Sequence, residues 1–192
     1  MTNRAVFLDR DGTLNIDPGY LGEADKVRLF PKVGEALSLL KNDHDFLLIV
    51  VSNQSGIARK LITRDQVDSV NSRINQLLED HNVAIDAFYY CPFHPDFSDK
   101  KESTCRKPSP EMVLTAALDF NIDLSRSYLI GDSASDILCG LNAGVKTILV
   151  QTGEGEESLS ILQKENNFPS FVAMNFFDAA NFIIKDFSGV YN

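Results

Sequence analysis

Ala5-Val6-Phe7-Leu8 runs directly into Asp9-Arg10-Asp11-Gly12-Thr13-Leu14-Asn15. The apolar run lacks the polar alternation of a half-exposed strand, so it reads as a strand buried on both faces, as in a parallel sheet. Two aspartates at i and i+2 follow it, and then a glycine. In an open α/β sheet, ligands bind outside the carboxyl ends of the strands. Two carboxylates at such an end repel each other and lose hydration, so they need a cation or a proton. An Asp-Gly turn between strand and helix is the plainer account. The rest of the chain has to choose between them.

Further apolar runs alternate with helical patterns, which indicates a parallel sheet with helices on both faces. A polar loop from Asn15 to Phe30 precedes Pro31, which opens a helix striped with Val33, Ala36, Leu37 and Leu40. The second buried strand, Phe46 to Val51, ends abruptly at Ser52-Asn53-Gln54-Ser55-Gly56. Thr63-Arg64-Asp65-Gln66 has capping-box form, and the helix after it places Val67, Val70, Ile74, Leu77 and Leu78 on one face. Ile85 to Tyr90 is the third strand. Cys91 to Pro108 is the longest irregular stretch, a length that in compact domains usually marks function or disorder. Ser109-Pro110-Glu111 restarts a helix in cap-then-proline order. Tyr128 to Ile130 is the fourth strand, ending at Gly131-Asp132, and a helix over Ser135 to Asn142 leads to a fifth strand, Val145 to Val150. The tail reads as a helix near 156–165, a short strand at 171–174 and a last helix over 177–185. The expected fold is one α/β domain over residues 1–192, a doubly wound, Rossmann-like parallel sheet of five to six strands.

Composition narrows the function classes. The 192 residues suit one domain, and 44% hydrophobic with 23% charged residues is ordinary for a globular protein. A net charge of −9 with no basic stripe argues against nucleic acid or an anionic membrane as partner. It does not argue against a phosphate substrate, because a metal can invert the local potential. No apolar run is long enough to span a bilayer, and the chain enters a strand without a visible signal peptide. Three cysteines, an odd number, suit a reducing compartment better than a disulfide framework. A cytoplasmic monomer is the expectation.

The polar clusters gain weight from position. Asp9 and Asp11 follow the first strand, Ser52 and Asn53 the second and Asp132 the fourth, while Arg106-Lys107 lie in the loop after the third. In a doubly wound sheet these ends share one rim. Each has a bland alternative: Ser52 capping a turn, Lys107 solvated, Asp132 capping its helix. Four such accidents at four strand ends make the weaker account.

Asp9-Arg10-Asp11-Gly12-Thr13, Ser52, Lys107 and Gly131-Asp132 with Asp136 resemble, in order and spacing, the four motifs of the haloacid dehalogenase superfamily across residues 5–150. Ser52-Asn53-Gln54-Ser55-Gly56-Ile57-Ala58-Arg59 and Cys105-Arg106-Lys107-Pro108 further resemble the heptose 1,7-bisphosphate and histidinol-phosphate phosphatases of that superfamily. The resemblance implies a magnesium-dependent phosphatase without a large cap domain, since no long insertion follows the first two motifs. Asp9 and Asp132 would supply carboxylates to Mg2+, and the resemblance adds the backbone carbonyl of Asp11. Asp9 would attack phosphorus, splitting one displacement into two. Asp11 would protonate the departing alkoxide and later take a proton from water. Its carboxyl must then hold a proton at neutral pH, which neighbouring negative charge favours. Lys107, the Ser52 hydroxyl and the amides of the Arg10-Asp11-Gly12 turn are the candidate donors to the transferring group. An acid at position 11 suits phosphatases, where dehalogenating relatives lack one.

Substrate contacts are expected from Asp17, Gly19 and Tyr20 in the first loop, since that region touches substrate hydroxyls in the resembling phosphatases, and from Asn53 and Gln54. Arg106 is a candidate for gripping a distal phosphate bidentately; a loop ion pair is its alternative. The substrate expected is a phosphorylated sugar, heptose 1,7-bisphosphate losing its 7-phosphate. Histidinol phosphate, a non-catalytic phosphate-binding module and phosphoryl transfer to another acceptor are the rivals. The Cys-x-His and Cys-x-Cys zinc signature of the subfamily is incomplete here: Phe93 and Ser103 occupy two ligand positions, Cys91 and Cys105 remain in register, and His94 is displaced by one. Three ligands make a poor closed site, so zinc is not expected, and Phe93 packing inward is the alternative way to hold the loop. Cys139 reads as a small core residue.

Overall fold

β1 (Ala5–Leu8) lies inside a six-stranded, all-parallel sheet of order β3-β2-β1-β4-β5-β6 in the computed structural model, which describes residues 2–99 and 101–189. The remaining strands are β2 (Leu47–Asn53), β3 (Ala87–Cys91), β4 (Tyr128–Gly131), β5 (Lys146–Val150) and β6 (Phe171–Ala173). Met1, Lys100 and residues 190–192, included in the one-domain expectation, lie outside the described residues. Phe7 faces Ile49 of β2 on one side and Leu129 of β4 on the other. The chain winds outward from β1 through β2 and β3, then returns to lay β4, β5 and β6 along the opposite flank. The order reverses between β1 and β4, and a ligand crevice opens where it does.

Period-two alternation makes two cores out of one sheet. Val6, Leu8, Leu48, Val50, Ile130 and Ile148 point to one face, against helices α1 (Val33–Ser38), α2 (Arg64–Leu78) and α6 (Phe176–Phe187). Ala5, Phe7, Ile49, Val51 and Leu129 point to the other, against α3 (Glu111–Asp119) and α4 (Ala134–Ala143). Leu149 continues that second face under Ile137 of α4 and Leu162 of α5 (Gly155–Lys164). Strands coated on both sides are why the sequence shows continuous apolar runs. Each fully buried Leu or Ile contributes on the order of 1.5–3 kcal/mol.

Thr63 caps α2 in the capping box with Gln66 that the sequence displays, and Ser133, not singled out in the sequence, caps α4 in the same way with Asp136. Gly144 ends α4 in the left-handed region (φ 78°), which costs glycine nothing. Two helix starts differ from expectation. Lys32 takes a left-handed conformation (φ 63°), so α1 begins at Val33 with Pro31 in the turn before it. Pro110 occupies the cap of α3, and Ser109 Oγ accepts the Glu111 amide from one place further back.

The segments after β1 and β2 contain no layer of their own, only a short 3-10 turn at Ala24–Lys26 and a turn region before Thr63. No helix among the described residues is long and apolar enough to cross a membrane. The long loop after β3 holds a 3-10 turn, Glu102–Cys105, and a disulfide joins Cys91 to Cys105 with Cα atoms 5.5 Å apart. The odd cysteine count pointed away from a disulfide. Counting reads composition and is blind to the fold bringing two positions together. Phe93 does pack against the core beside this bridge, and Cys139 is free and buried.

Candidate active site

Lys107 is the side chain on which the carboxyl rim converges. Its ammonium lies 2.5 Å from Asp9 Oδ1 and 2.5 Å from Asp136 Oδ1, and donates to the Val51 carbonyl at 2.8 Å. All three side chains are nearly or fully removed from solvent, with 2% of Lys107, 10% of Asp9 and 1% of Asp136 exposed. Burial alone would lower the lysine pKa, but Asp136 and Asp9 outweigh it and raise the pKa above the ordinary range. Asn53, expected as a substrate contact, also fastens this loop to β2: its Oδ1 accepts the Lys107 amide at 3.0 Å and its Nδ2 donates to the Lys107 carbonyl at 3.3 Å.

Asp9, Asp132 and Asp136 place carboxylate oxygens within 4.8 Å of one another, all buried. Burial raises Asp9 well above the usual carboxylate range despite Lys107. Asp132 is pushed up to about 6, first by burial and then by the charge of Asp136. Three buried acids beside one ammonium leave a deficit of positive charge. An all-oxygen donor set of this kind suits a hard divalent cation such as Mg2+.

Asp132 is held from both flanks. Thr13 Oγ1 donates to its Oδ1 at 3.0 Å, and the Glu154 amide donates to its Oδ2 at 2.9 Å. Two glycines make room for it: a Cβ at Gly12 (φ +86°) or at Gly153 (φ +54°) would fall 2.2 or 2.0 Å from Asp132 Oδ2. Thr152 Oγ1 closes the ring by donating to the Gly12 carbonyl at 2.7 Å. Residues 152–154 were missed in the sequence. Their signal was available, since a Thr-Gly-Glu turn at the carboxyl end of the fifth strand belongs to the same rim. Asp132 does not cap α4; Ser133 does.

Asp11 departs from expectation. Arg10 Nη2 donates to Oδ2 at 2.8 Å, Arg10 Nε reaches both oxygens at 3.1 and 3.2 Å, Asn15 Nδ2 donates to Oδ1 at 2.9 Å, and Gln54 Nε2 donates to Oδ2 at 2.8 Å. Burial raises its pKa, but the Arg10 guanidinium and these hydrogen bonds more than offset that and set it below the usual carboxylate value. Neighbouring negative charge was expected to keep this carboxyl protonated. The nearest charge is instead positive, that of Arg10, so Asp11 rests as a carboxylate. Gln54 Nε2 also donates to Ser52 Oγ at 2.8 Å, which links the second strand end to the first.

A cavity of about 560 Å³ opens over these groups, lined by Asp9, Asp11, Ser52, Lys107 and Asp132 and by the expected substrate contacts Asp17, Gly19, Tyr20, Asn53, Gln54 and Arg106, while Asp136 lies behind Lys107 and does not line it. Asp17 Oδ1 accepts the Gly19 amide at 2.7 Å and shapes the loop whose tip, Tyr20, is 46% exposed at the rim. Arg106 makes no ion pair among the described residues, and its Nη1 is buried without a hydrogen-bond partner. Burial, then the nearby charge of Arg59, lower its pKa. The loop ion pair is therefore not what holds it. Arg59, whose Nε is likewise buried and unpartnered, rests its guanidinium on the Phe97 ring at 4.4 Å.

A HAD-hydrolase-like family model matches residues 104–179. A D-glycero-D-manno-heptose-1,7-bisphosphate 7-phosphatase from Chlorobaculum tepidum is 39% identical over 185 residues, covering 92% of each chain. The D-glycero-beta-D-manno-heptose-1,7-bisphosphate 7-phosphatase of Escherichia coli K12 is 42% identical over 154 residues, 78% of this chain and 80% of that one. The crystal structure of the D,D-heptose 1,7-bisphosphate phosphatase from B. bronchiseptica, complexed with magnesium and phosphate, superposes with a TM-score of 0.85. That structure covers 95% of this chain and 99% of its own, at 28% identity.

Proposed function

Because the chain belongs to the haloacid dehalogenase superfamily, in the family of heptose-bisphosphate phosphatases whose Chlorobaculum tepidum member it matches over 92% of its length, we propose that it removes the 7-phosphate of D-glycero-D-manno-heptose 1,7-bisphosphate. It is a phosphoric monoester hydrolase. The observation that carries the reading is Lys107 clamped between Asp9 and Asp136, with Asp132 and Asp11 beside it on one cavity wall. Asp9 and Asp132, with the Asp11 main-chain carbonyl, are the groups that would hold magnesium, and the buried excess of carboxylate fits such an ion. When bound, it reduces the repulsion between the anionic nucleophile and the anionic phosphate.

Lys107 holds one Asp9 oxygen and so orients the carboxylate. Asp9 forms a bond to phosphorus as the bond from phosphorus to the sugar oxygen breaks, and the Asp11 carboxyl gives its proton to that oxygen. Water then attacks phosphorus, passes a proton to the Asp11 carboxylate and frees Asp9. The resting carboxylate state of Asp11 suits this second half directly. For the first half it must gain a proton, which an arriving phosphate dianion favours by adding negative charge beside it. Ser52 Oγ and Lys107 Nζ are the donors to the phosphoryl oxygens. Arg106, without an acid partner, is the group for the distal phosphate, and Asp17, Gly19, Tyr20, Asn53 and Gln54 face the sugar.

The test is kcat/KM for the two heptose 1,7-bisphosphate anomers against histidinol phosphate, with magnesium and with EDTA. The reading expects a preference of at least ~10²-fold for one heptose anomer over histidinol phosphate, because the buried, unpartnered Nη1 of Arg106 stays unsatisfied without a distal phosphate. A preference for histidinol phosphate would overturn the substrate; equal turnover in EDTA would overturn the metal.

Zinc is left out of this reading, since the Cys91 and Cys105 sulfurs are bonded to each other and His94 Nδ1 accepts the Asp96 amide. Metal analysis of purified protein should find zinc far below stoichiometric; one zinc per chain would contradict this. A cytoplasmic monomer without nucleic-acid or membrane partners completes the reading; the net charge of −9 supports the absence of those two partners, and the Cys91–Cys105 disulfide removes the cysteine argument for a reducing compartment.

A further inference from the structure

Arg10 is the largest fully buried side chain among the described residues, 1% exposed, and the reaction above gives it no step. Two of its three nitrogens, Nε and Nη2, face Asp11. The third, Nη1, donates to Asn71 Oδ1 at 3.0 Å. Asn71 lies on α2 between Val70 and Ile74, on the face that otherwise carries the buried apolar stripe, and is itself only 7% exposed. An amide at such a position needs a reason, because it interrupts an apolar face and asparagine is a weak helix former.

A guanidinium fork orients a carboxylate plane only if the fork is itself immobile. Packing α2 against the sheet, with its start fixed by the Thr63 capping box, supplies that immobility through Asn71. We infer that Asn71 is a positioning residue for the proposed acid and base Asp11, acting through Arg10. The inference rests on the phosphatase reading and on Asp11 as proton donor.

The readout separates positioning from mere support of the fold. An alkyl phosphate leaves as a strongly basic alkoxide and needs protonation as its bond breaks; p-nitrophenyl phosphate leaves as a weakly basic phenolate and needs little. Both esters meet the same protein, so a general loss of structure lowers both alike. For Asn71→Ala, kcat/KM should fall at least ~10-fold on heptose 1,7-bisphosphate and less than ~3-fold on p-nitrophenyl phosphate. Asn71→Asp keeps an acceptor oxygen for Arg10 and should bring the ratio back to near wild type. Arg10→Lys, which keeps the charge and loses the fork, should show the same one-sided loss and serves where Asn71→Ala does not fold. Parallel losses on the two esters, or no loss on either, would overturn the positioning role. The wild-type rates on both esters test the phosphatase reading separately.

Discussion

Asp9→Asn is expected to abolish phosphatase turnover, by at least ~10⁴-fold in kcat, while the protein stays folded. The amide matches the carboxylate in shape, so the pocket is kept, but it offers no anionic oxygen to phosphorus. It also removes one of the two acids that flank the Lys107 ammonium, leaving Asp136 at 2.5 Å to satisfy that charge. Lys107 therefore remains compensated, and the loss falls on chemistry. Rapid quench with a radiolabelled phosphate ester should trap a labelled wild-type chain and no labelled variant. Near-normal turnover by Asp9→Asn would remove Asp9 as the nucleophile. Asp11→Asn should retain more, a loss of ~10²-fold or above, because it removes proton transfer and leaves the attacking group in place.

Lys107→Met should damage both stability and catalysis, lowering unfolding free energy by about 3–5 kcal/mol and kcat by ~10³-fold. Methionine fills a similar volume, so cavity formation is not the cause. The cost is electrostatic: Asp9, Asp132 and Asp136 would share one buried site with no ammonium among them. Breaking a buried pair from one side leaves an uncompensated charge, which costs far more than the pair contributes net. Urea unfolding in EDTA measures it, and added magnesium should recover part of the loss by binding the folded chain alone. A variant as stable as wild type in EDTA would mean that the three acids are not all ionised in the folded protein.

The sequence sufficed for the rule of construction. Short apolar runs without alternation at Ala5–Leu8 and Phe46–Val51, too short for helices, read as strands coated on both faces, and a parallel sheet puts the polar residues that end them on one rim. Asp9, Ser52, Lys107 and Asp132 were legible because each sits where such a run or its following loop stops. The helix cap at Thr63 is a short-range hydrogen bond, and short-range pattern is what a sequence displays.

Other properties needed the chain folded. The protonation of Asp11 turns on whether Arg10 points toward it or away, and adjacency in sequence does not settle a side-chain direction that Asn71, sixty-one positions on, helps to set. Thr152 reaches Gly12 across 140 residues, Glu154 reaches Asp132, and Asn53 ties down the Lys107 backbone, all through tertiary proximity. Cys91 and Cys105 became a bonded pair for the same reason. Periodicity and spacing name which residues arrive at the rim. Which group faces which, and so which carboxyl is ionised and which cation compensates it, depends on distances of a few ångströms that only the packed sheet and helices fix.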